Sequence, residues 1–133
     1  MGKYNRVSWM DAADFDDTAG RLNRPAILWQ PTADVLESED GFILLVELPG
    51  MTLADVTVEL KGNQLIVFGH KPEEKQRGPV RHHVVERPSG PFARAFTLGS
   101  GVRAEEIAAT LKDGLLTITL KKAAPRRRSI PVG

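Results

Sequence analysis

A chain of 133 residues with no cysteine has room for one hydrophobic core and not two, and disulfides, thiol catalysis and cysteine-ligated zinc or iron–sulfur centres are excluded outright. Its 41% apolar and 26% charged residues are those of an ordinary globular chain, which excludes wholesale disorder and collagen-like repeats. A formal net charge of +1 supplies no long-range field toward nucleic acid or anionic lipid, so neither is expected as a partner.

Residues 1–30 read as an amino-terminal arm, in which Tyr4, Val7, Trp9, Met10, Phe15, Leu22, Ile27, Leu28 and Trp29 are scattered among aspartates, arginines and glycines. A short helix is predicted from Ser8 to Phe15, with Ser8 as N-cap and Asp11 three residues on, although the apolar spacing makes no clean stripe. The aspartates at 11, 14, 16 and 17 run against a secretory signal. Phe42 to Val46, the longest apolar run, is far too short to span a bilayer. A cytoplasmic location is therefore expected. Both tryptophans lie in the arm and serve either as core plugs or as adhesive groups for other chains.

From Pro31 to Lys122 the texture is that of short strands with punctuation, an all-β body. Ala33 to Glu37 is a strand, Ser38 to Gly41 a turn, and Phe42 to Leu48 a strand stopped by Pro49-Gly50. In that second strand Phe42, Leu44, Val46 and Leu48 share one face, while Ile43 and Leu45 occupy the other. Apolar residues on both faces predict a central strand of a β-sandwich. Val56 to Leu60 alternates cleanly, Lys61-Gly62-Asn63 turns, and Leu65 to Phe68 makes another strand.

Residues 70–90 break the pattern with the charged run KPEEKQRG, then Val80-Arg81-His82-His83-Val84-Val85-Glu86-Arg87 and Pro88-Ser89-Gly90. So long a loop inside a small domain is normally functional. Val80 to Arg87 has strand propensity without an inward face, the profile of an edge strand that finds its partner elsewhere. Phe92 to Leu98 resumes the body. Ile107 to Leu111 and Leu116 to Leu120 each alternate on either side of Asp113-Gly114, a hairpin signal that rests on glycine's access to positive φ.

Residues 123–133 form a carboxy-terminal extension: a solvated linker from Ala123 to Ser129, then Ile130-Pro131-Val132. In an extended backbone Ile130 and Val132 project to the same side, and Pro131 arrives with its φ already fixed, which lowers the ordering cost of docking. The segment reads as a two-knob plug.

Five features in order now carry a resemblance. They are Trp29-x-Pro31-x-x-Asp34-Val35, Glu47-Leu48-Pro49-Gly50, Gly90-x-Phe92-x-Arg94-x-Phe96, Ala109-x-x-x-Asp113-Gly114-Leu115-Leu116 and Ile130-x-Val132. Together they resemble the small heat-shock proteins, the α-crystallin domain family, over about Pro31 to Val132. The resemblance implies an immunoglobulin-like β-sandwich and a dimer built by exchanging the edge strand of the long loop. It also implies an ATP-independent holdase activity on unfolding client proteins, with no cofactor. Val80 to Glu86 occupies the place of the exchanged strand in bacterial and plant members. Gly99 stands where the family usually has proline, the amino-terminal arm is short, and Arg126 to Arg128 is outside the family's motif.

Against that background the side chains divide into candidates and alternatives. Arg94 is either a dimer-interface arginine paired with a carboxylate or a guanidinium laid over Phe92 and Phe96. His82 and His83 are neighbours that point to opposite faces of a strand, which does not suit one metal ion, so exposed edge-strand histidines are the expectation for them and for His70. No Gly-x-Ser-x-Gly elbow, phosphate loop or dinucleotide fingerprint occurs, and no enzymatic activity is expected. Arg126-Arg127-Arg128 without interleaved aromatics is expected to keep the tail solvated. Val56, Val58 and Leu60 with Ile107, Ala109 and Leu111 are expected to line a groove that takes Ile130 and Val132 of a neighbouring chain. A seven-residue linker reaches roughly 23 Å when extended, enough to cross between subunits of a larger homo-oligomer. Trp9, Met10, Phe15 and Leu22 are the candidates for client contact. The alternative from another class is a β-sandwich adaptor that binds one folded partner and suppresses no aggregation.

Overall fold

In the computed structural model, which describes residues 8–10 (backbone), 28–75, 77–99, 101–103 and 106–123, Asp113 and Gly114 both adopt positive φ, 53° and 77°. This is the two-residue turn whose twist matches that of the strands it joins. It folds β7 (Ala108–Lys112) back on β8 (Leu115–Lys121), with Leu111 opposite Leu116 and Ala109 opposite Ile118. Two further strands, β2 (Ala33–Glu37) and β3 (Gly41–Glu47), complete a four-stranded sheet in the order β2-β3-β8-β7. The Leu48 N–H donates to the Gly114 carbonyl at 2.7 Å, so the hairpin tip is tied to the end of β3.

After Pro49-Gly50 a single 3₁₀ turn, Leu53–Asp55, carries the chain into a second sheet. The Thr52 N–H donates to Asp55 Oδ2 at 2.9 Å, which satisfies a donor at the start of that turn. The second sheet has the order β1-β6-β5-β4, from β4 (Val56–Lys61), β5 (Gln64–Lys71), β6 (Gly90–Thr97) and β1 (Ser8–Met10). All strand pairs in both sheets are antiparallel.

The two sheets stack through their alternating inward residues. Phe42, Leu44, Val46, Leu116, Ile118 and Leu120 meet Leu65, Val67, Phe92 and Phe96, with Leu48 and Leu98 at the ends, and none of these exceeds 1% exposure. This is the β-sandwich the alternation predicts. A smaller cluster, Ile66, Phe68, Ala93 and Ala95, is buried on the other face of β5 and β6, with Leu28 against it.

Three details differ from the expectations, and the Val80 to Arg87 segment, expected to find its partner elsewhere, stays without a strand partner in the single chain. Ser8–Met10 is extended rather than helical, paired with Ala95–Thr97. The open edge of β6 offers backbone partners, while a helix here would have no apolar stripe to dock; residues 11–15 lie outside the described part. The long loop is shorter than expected, because His70 pairs with Pro91 and Lys71 with Gly90, leaving 72–89. Within it strand propensity alone does not hold Val80 to Arg87 as a strand. Finally, β3 is internal to its sheet as expected, but Ile43 on its second face is 43% exposed.

The packed body reaches back beyond Pro31. Trp29 lies parallel to β6 beside Phe92, its N–H donating to the Pro91 carbonyl at 3.2 Å and its carbonyl accepting from Ala93 N–H at 3.4 Å. The chain then enters β2, so β2 lies on the same side of the sandwich as the outer edge of β6. It follows from the strand orders that β4 and β7 share the opposite side.

Replacing Ile118 with alanine in the centre of this core is expected to cost about 2–5 kcal/mol of stability. Urea unfolding checks it: the midpoint should fall with little change in slope.

A candidate groove between two edge strands

Among the described residues β4 and β7 each end a sheet, with no strand on the outer side. Their side chains alternate. On β4 Val56, Val58 and Leu60 turn inward, opposite Gly69, Val67 and Leu65 of β5. On the second wall Ala109 and Leu111 of β7, with Ile107 just before it, turn inward in the same way. All six pack against the main core yet remain half-buried. These six half-buried aliphatics are the ones that would line a lane between the two edges, with Ala109 the small residue among them. Such a lane has the right chemistry for apolar side chains presented on an extended strand. Ile130, Pro131 and Val132, the expected occupants, lie outside the described residues.

The 72–89 loop is organised by charge rather than by hydrophobic packing. Arg87 reaches Glu74 at 2.9 Å across its base, and Arg77 approaches the same carboxylate at 4.0 Å. The hydrogen bond and charge of Arg87 hold the Glu74 carboxyl below its ordinary value of 4.5. Arg81, His82, His83 and Glu86 are exposed, and Val80, Val84 and Val85 are 53%, 73% and 73% exposed. His70 is exposed on β5 and distant in sequence from the other two. Among the described residues no three His, Asp or Glu side chains are placed to hold a metal ion.

Arg94 is half-buried on β6. Its Nη1 donates to the Pro31 carbonyl at 2.7 Å and its guanidinium lies 5.3 Å from the Phe96 ring centroid. These are contacts within its own chain, of the cation–π kind weighed above. Trp9 and Met10 are placed by backbone in β1, and Phe15 and Leu22 fall outside the described residues.

Two anchors complete the picture, one left open by the sequence reading and one that escaped it. Trp29 is a core plug rather than an adhesive group: its ring centroid is 5.1 Å from that of Phe92, and its Nε1–H donates to the Gly90 carbonyl at 3.1 Å. The second is at the root of the extension, where Lys122 Nζ meets Glu37 Oε2 at 2.7 Å with both side chains largely buried, at 16% and 11% exposure. The Lys122 N–H donates to Asp40 O at 2.8 Å and the Ala123 N–H to Gly101 O at 3.0 Å. No local signal links Glu37 to Lys122 across that distance in sequence; only the pairing of β2, β3 and β8 brings them together.

Comparison with known proteins places this architecture. The profile of the Hsp20/alpha crystallin family matches residues 34–133. The chain belongs to that family. It is 38% identical over 104 residues to the Spore protein SP21 of Stigmatella aurantiaca, an alignment covering 78% of this chain and 60% of that protein. It is 34% identical over 113 residues to the 16.9 kDa class I heat shock protein 1 of Triticum aestivum, covering 84% and 75%. Among solved structures, heat shock protein 16.0 from Schizosaccharomyces pombe superposes with a TM-score of 0.68 at 31% identity, over 84% of this chain and 80% of that one. The small heat-shock protein from Xylella fastidiosa, described as having a distinct high order structure, gives 0.67 at 32% identity over 80% and 99%. Membership supports a chaperone role in general for this small heat-shock protein. Among the described residues no helix is long and apolar enough to cross a membrane.

Because the Glu74 carboxyl is lowered, the folded loop favours its ionised form. Any stability from the pair is present above the unfolded value and is lost as pH falls through the lowered folded value. The carboxylate resonance of Glu74 should titrate below 4.5, and in Arg87→Ala the midpoint should rise toward that value; an unmoved midpoint would exclude Arg87 as the cause.

Proposed function

We propose that this small heat-shock protein is an ATP-independent holdase, which binds unfolding proteins in the cytoplasm and keeps them from aggregating, and that its assembly is controlled by docking of its own carboxy terminus. What supports the reading is the set of half-buried aliphatics on β4 and on β7 with Ile107 before it, in a chain that carries Ile130 and Val132 on either side of Pro131.

Burying two aliphatic side chains is worth on the order of 3–5 kcal/mol before ordering costs. A single docked plug is thus reversible, and several in one closed assembly hold it firmly. In this reading the linker from Ala123 to Ser129 lets the plug reach a neighbouring subunit. Heating releases plugs and grooves together, exposing apolar surface to clients, and Trp9, Met10, Phe15 and Leu22 of the arm contribute to client contact.

The dimer is the second part of the proposal. The exposed segment Val80, Arg81, His82, His83, Val84, Val85 and Glu86 gains a backbone partner by adding to a free edge of a second copy, and β2 is the edge left once β4 and β7 take the plug. Exchange of this kind satisfies both the loop's unpaired backbone and the edge it joins. Arg94, reached through Pro31 beside β2, lies near that junction and steadies it.

One experiment separates the holdase from an adaptor that binds a folded partner: light scattering of a heat-denatured client with and without the protein, no nucleotide added, beside the solution mass from size exclusion with light scattering. A holdase suppresses scattering and runs as an oligomer, while a monomer without suppression supports the adaptor. Ile130→Ala with Val132→Ala should reduce the assembly to dimers or small species. If its mass stays that of the parent, the plug reading is wrong. Arg94→Ala should shift the dimer–monomer balance in the same measurement, and an unchanged profile would count against its place at the junction.

A further inference from the structure

The outer edge of β6 is covered along its length by the chain's own amino-terminal residues, in two separate pieces. Trp29 N–H donates to the Pro91 carbonyl and the Trp29 carbonyl accepts from Ala93 N–H. Odd-numbered residues of β6 therefore turn their backbone groups outward, and the opposite parity is seen at Leu98, whose N–H donates to Asn63 O on the β5 side. By the same alternation Ala95 and Thr97 face β1, whose register is Ser8↔Thr97, Trp9↔Phe96 and Met10↔Ala95.

The two pieces differ in how they are held. The Trp29 piece has its indole against Phe92, its Nε1–H on Gly90 O and the Arg94–Pro31 bond beside it. The β1 piece is three residues long, and an isolated strand of that length has little cooperative support.

The edge that β1 covers carries small side chains on the second face of its sheet. The outward-facing side chains of β6 at the covered positions are Ala93, Ala95 and Thr97, and the two alanines with Ile66 and Phe68 make an apolar shelf that is at most 5% exposed. Strand addition takes its affinity from the main chain and its selectivity from side-chain pockets. An edge flanked by alanines offers the first with almost none of the second, which suits an extended apolar segment of any sequence.

The geometry points to a latent strand-addition site at Ala95–Thr97 of β6, held closed by β1 (Ser8–Met10) and opened by its release to take an extended segment of an unfolded client. This rests on the holdase reading. β1 acts as a stand-in for the client strand: it keeps the edge paired at rest and yields it, with Trp9 and Met10, when a client competes.

The absence of native cysteine permits a clean test in the full chain. Cα atoms of paired antiparallel residues lie about 4.5–5.5 Å apart, within reach of a disulfide, so Ser8→Cys with Thr97→Cys locks β1 on β6 when oxidised. The same molecule after reduction controls for folding. The probe is reduced, carboxymethylated α-lactalbumin, which is unfolded without heating. The oxidised protein should bind it about tenfold or more weaker than the reduced one. In the reduced complex, hydrogen exchange should quicken at residues 8–10 while 95–97 stay protected. Equal binding in the two states, or β1 amides still protected in the complex, overturns the inference and leaves the holdase reading standing. Failure of both states to bind overturns the holdase reading itself, and the inference with it.

Discussion

An open antiparallel sheet ends on each side in a strand whose outer backbone groups have no partner, and everything distinctive about this molecule follows from having four such ends. The core is of the ordinary kind, phenylalanines and branched aliphatics interleaved between two sheets. The edges are where the chain differs from a self-contained sandwich. Among the described residues β2, β4 and β7 end their sheets without a strand beyond them, and the outer side of β6 is covered by its own chain. A soluble protein must blunt such edges or pair them. In the proposed assembly the sheet edges and the exposed valines of the 72–89 loop answer one another through association between copies of the chain.

That accounting also orders the strengths of the contacts. Trp29 is locked by a ring contact and two kinds of hydrogen bond, and Lys122 is held by a shielded carboxylate and the bonds around it. These fix where the two terminal segments leave the body. The Glu74–Arg87 pair is exposed, and pairs of that kind contribute little. The structure therefore holds its exits firmly and its long loop lightly, a distribution suited to a protein whose partners change.

The sandwich was legible because β3, β4, β6 and β8 alternate and Asp113-Gly114 leaves no other reading of the turn between β7 and β8. The inward face of Val56, Val58, Leu60, Ile107, Ala109 and Leu111 was legible for the same reason: a period of two assigns a face before the sheet order is known. Three things were not legible. Ser8–Met10 has the composition of a weak helix start, and only the edge of β6, set by residues nearly ninety positions later, makes it a strand. Val80 to Arg87 has the propensity of a strand, but nothing in its residues says which edge it would join. Glu37 and Lys122 are ordinary surface residues in sequence, brought together by pairings that only the finished sheet defines.

The walls of the groove belong to different sheets. β4 is one half of a hairpin with β5, and β7 one half of a hairpin with β8; among the described residues the strand orders place no ladder between them. The width of the lane is thus a matter of sheet stacking, not of strand pairing. Stacking is non-directional and tolerates small sliding, whereas a ladder is in register or broken. In the proposed groove the spacing of the two walls would therefore be set by the core packed between the sheets, Leu44, Val46, Val67 and Ile118 among it, and not by any ladder between β4 and β7.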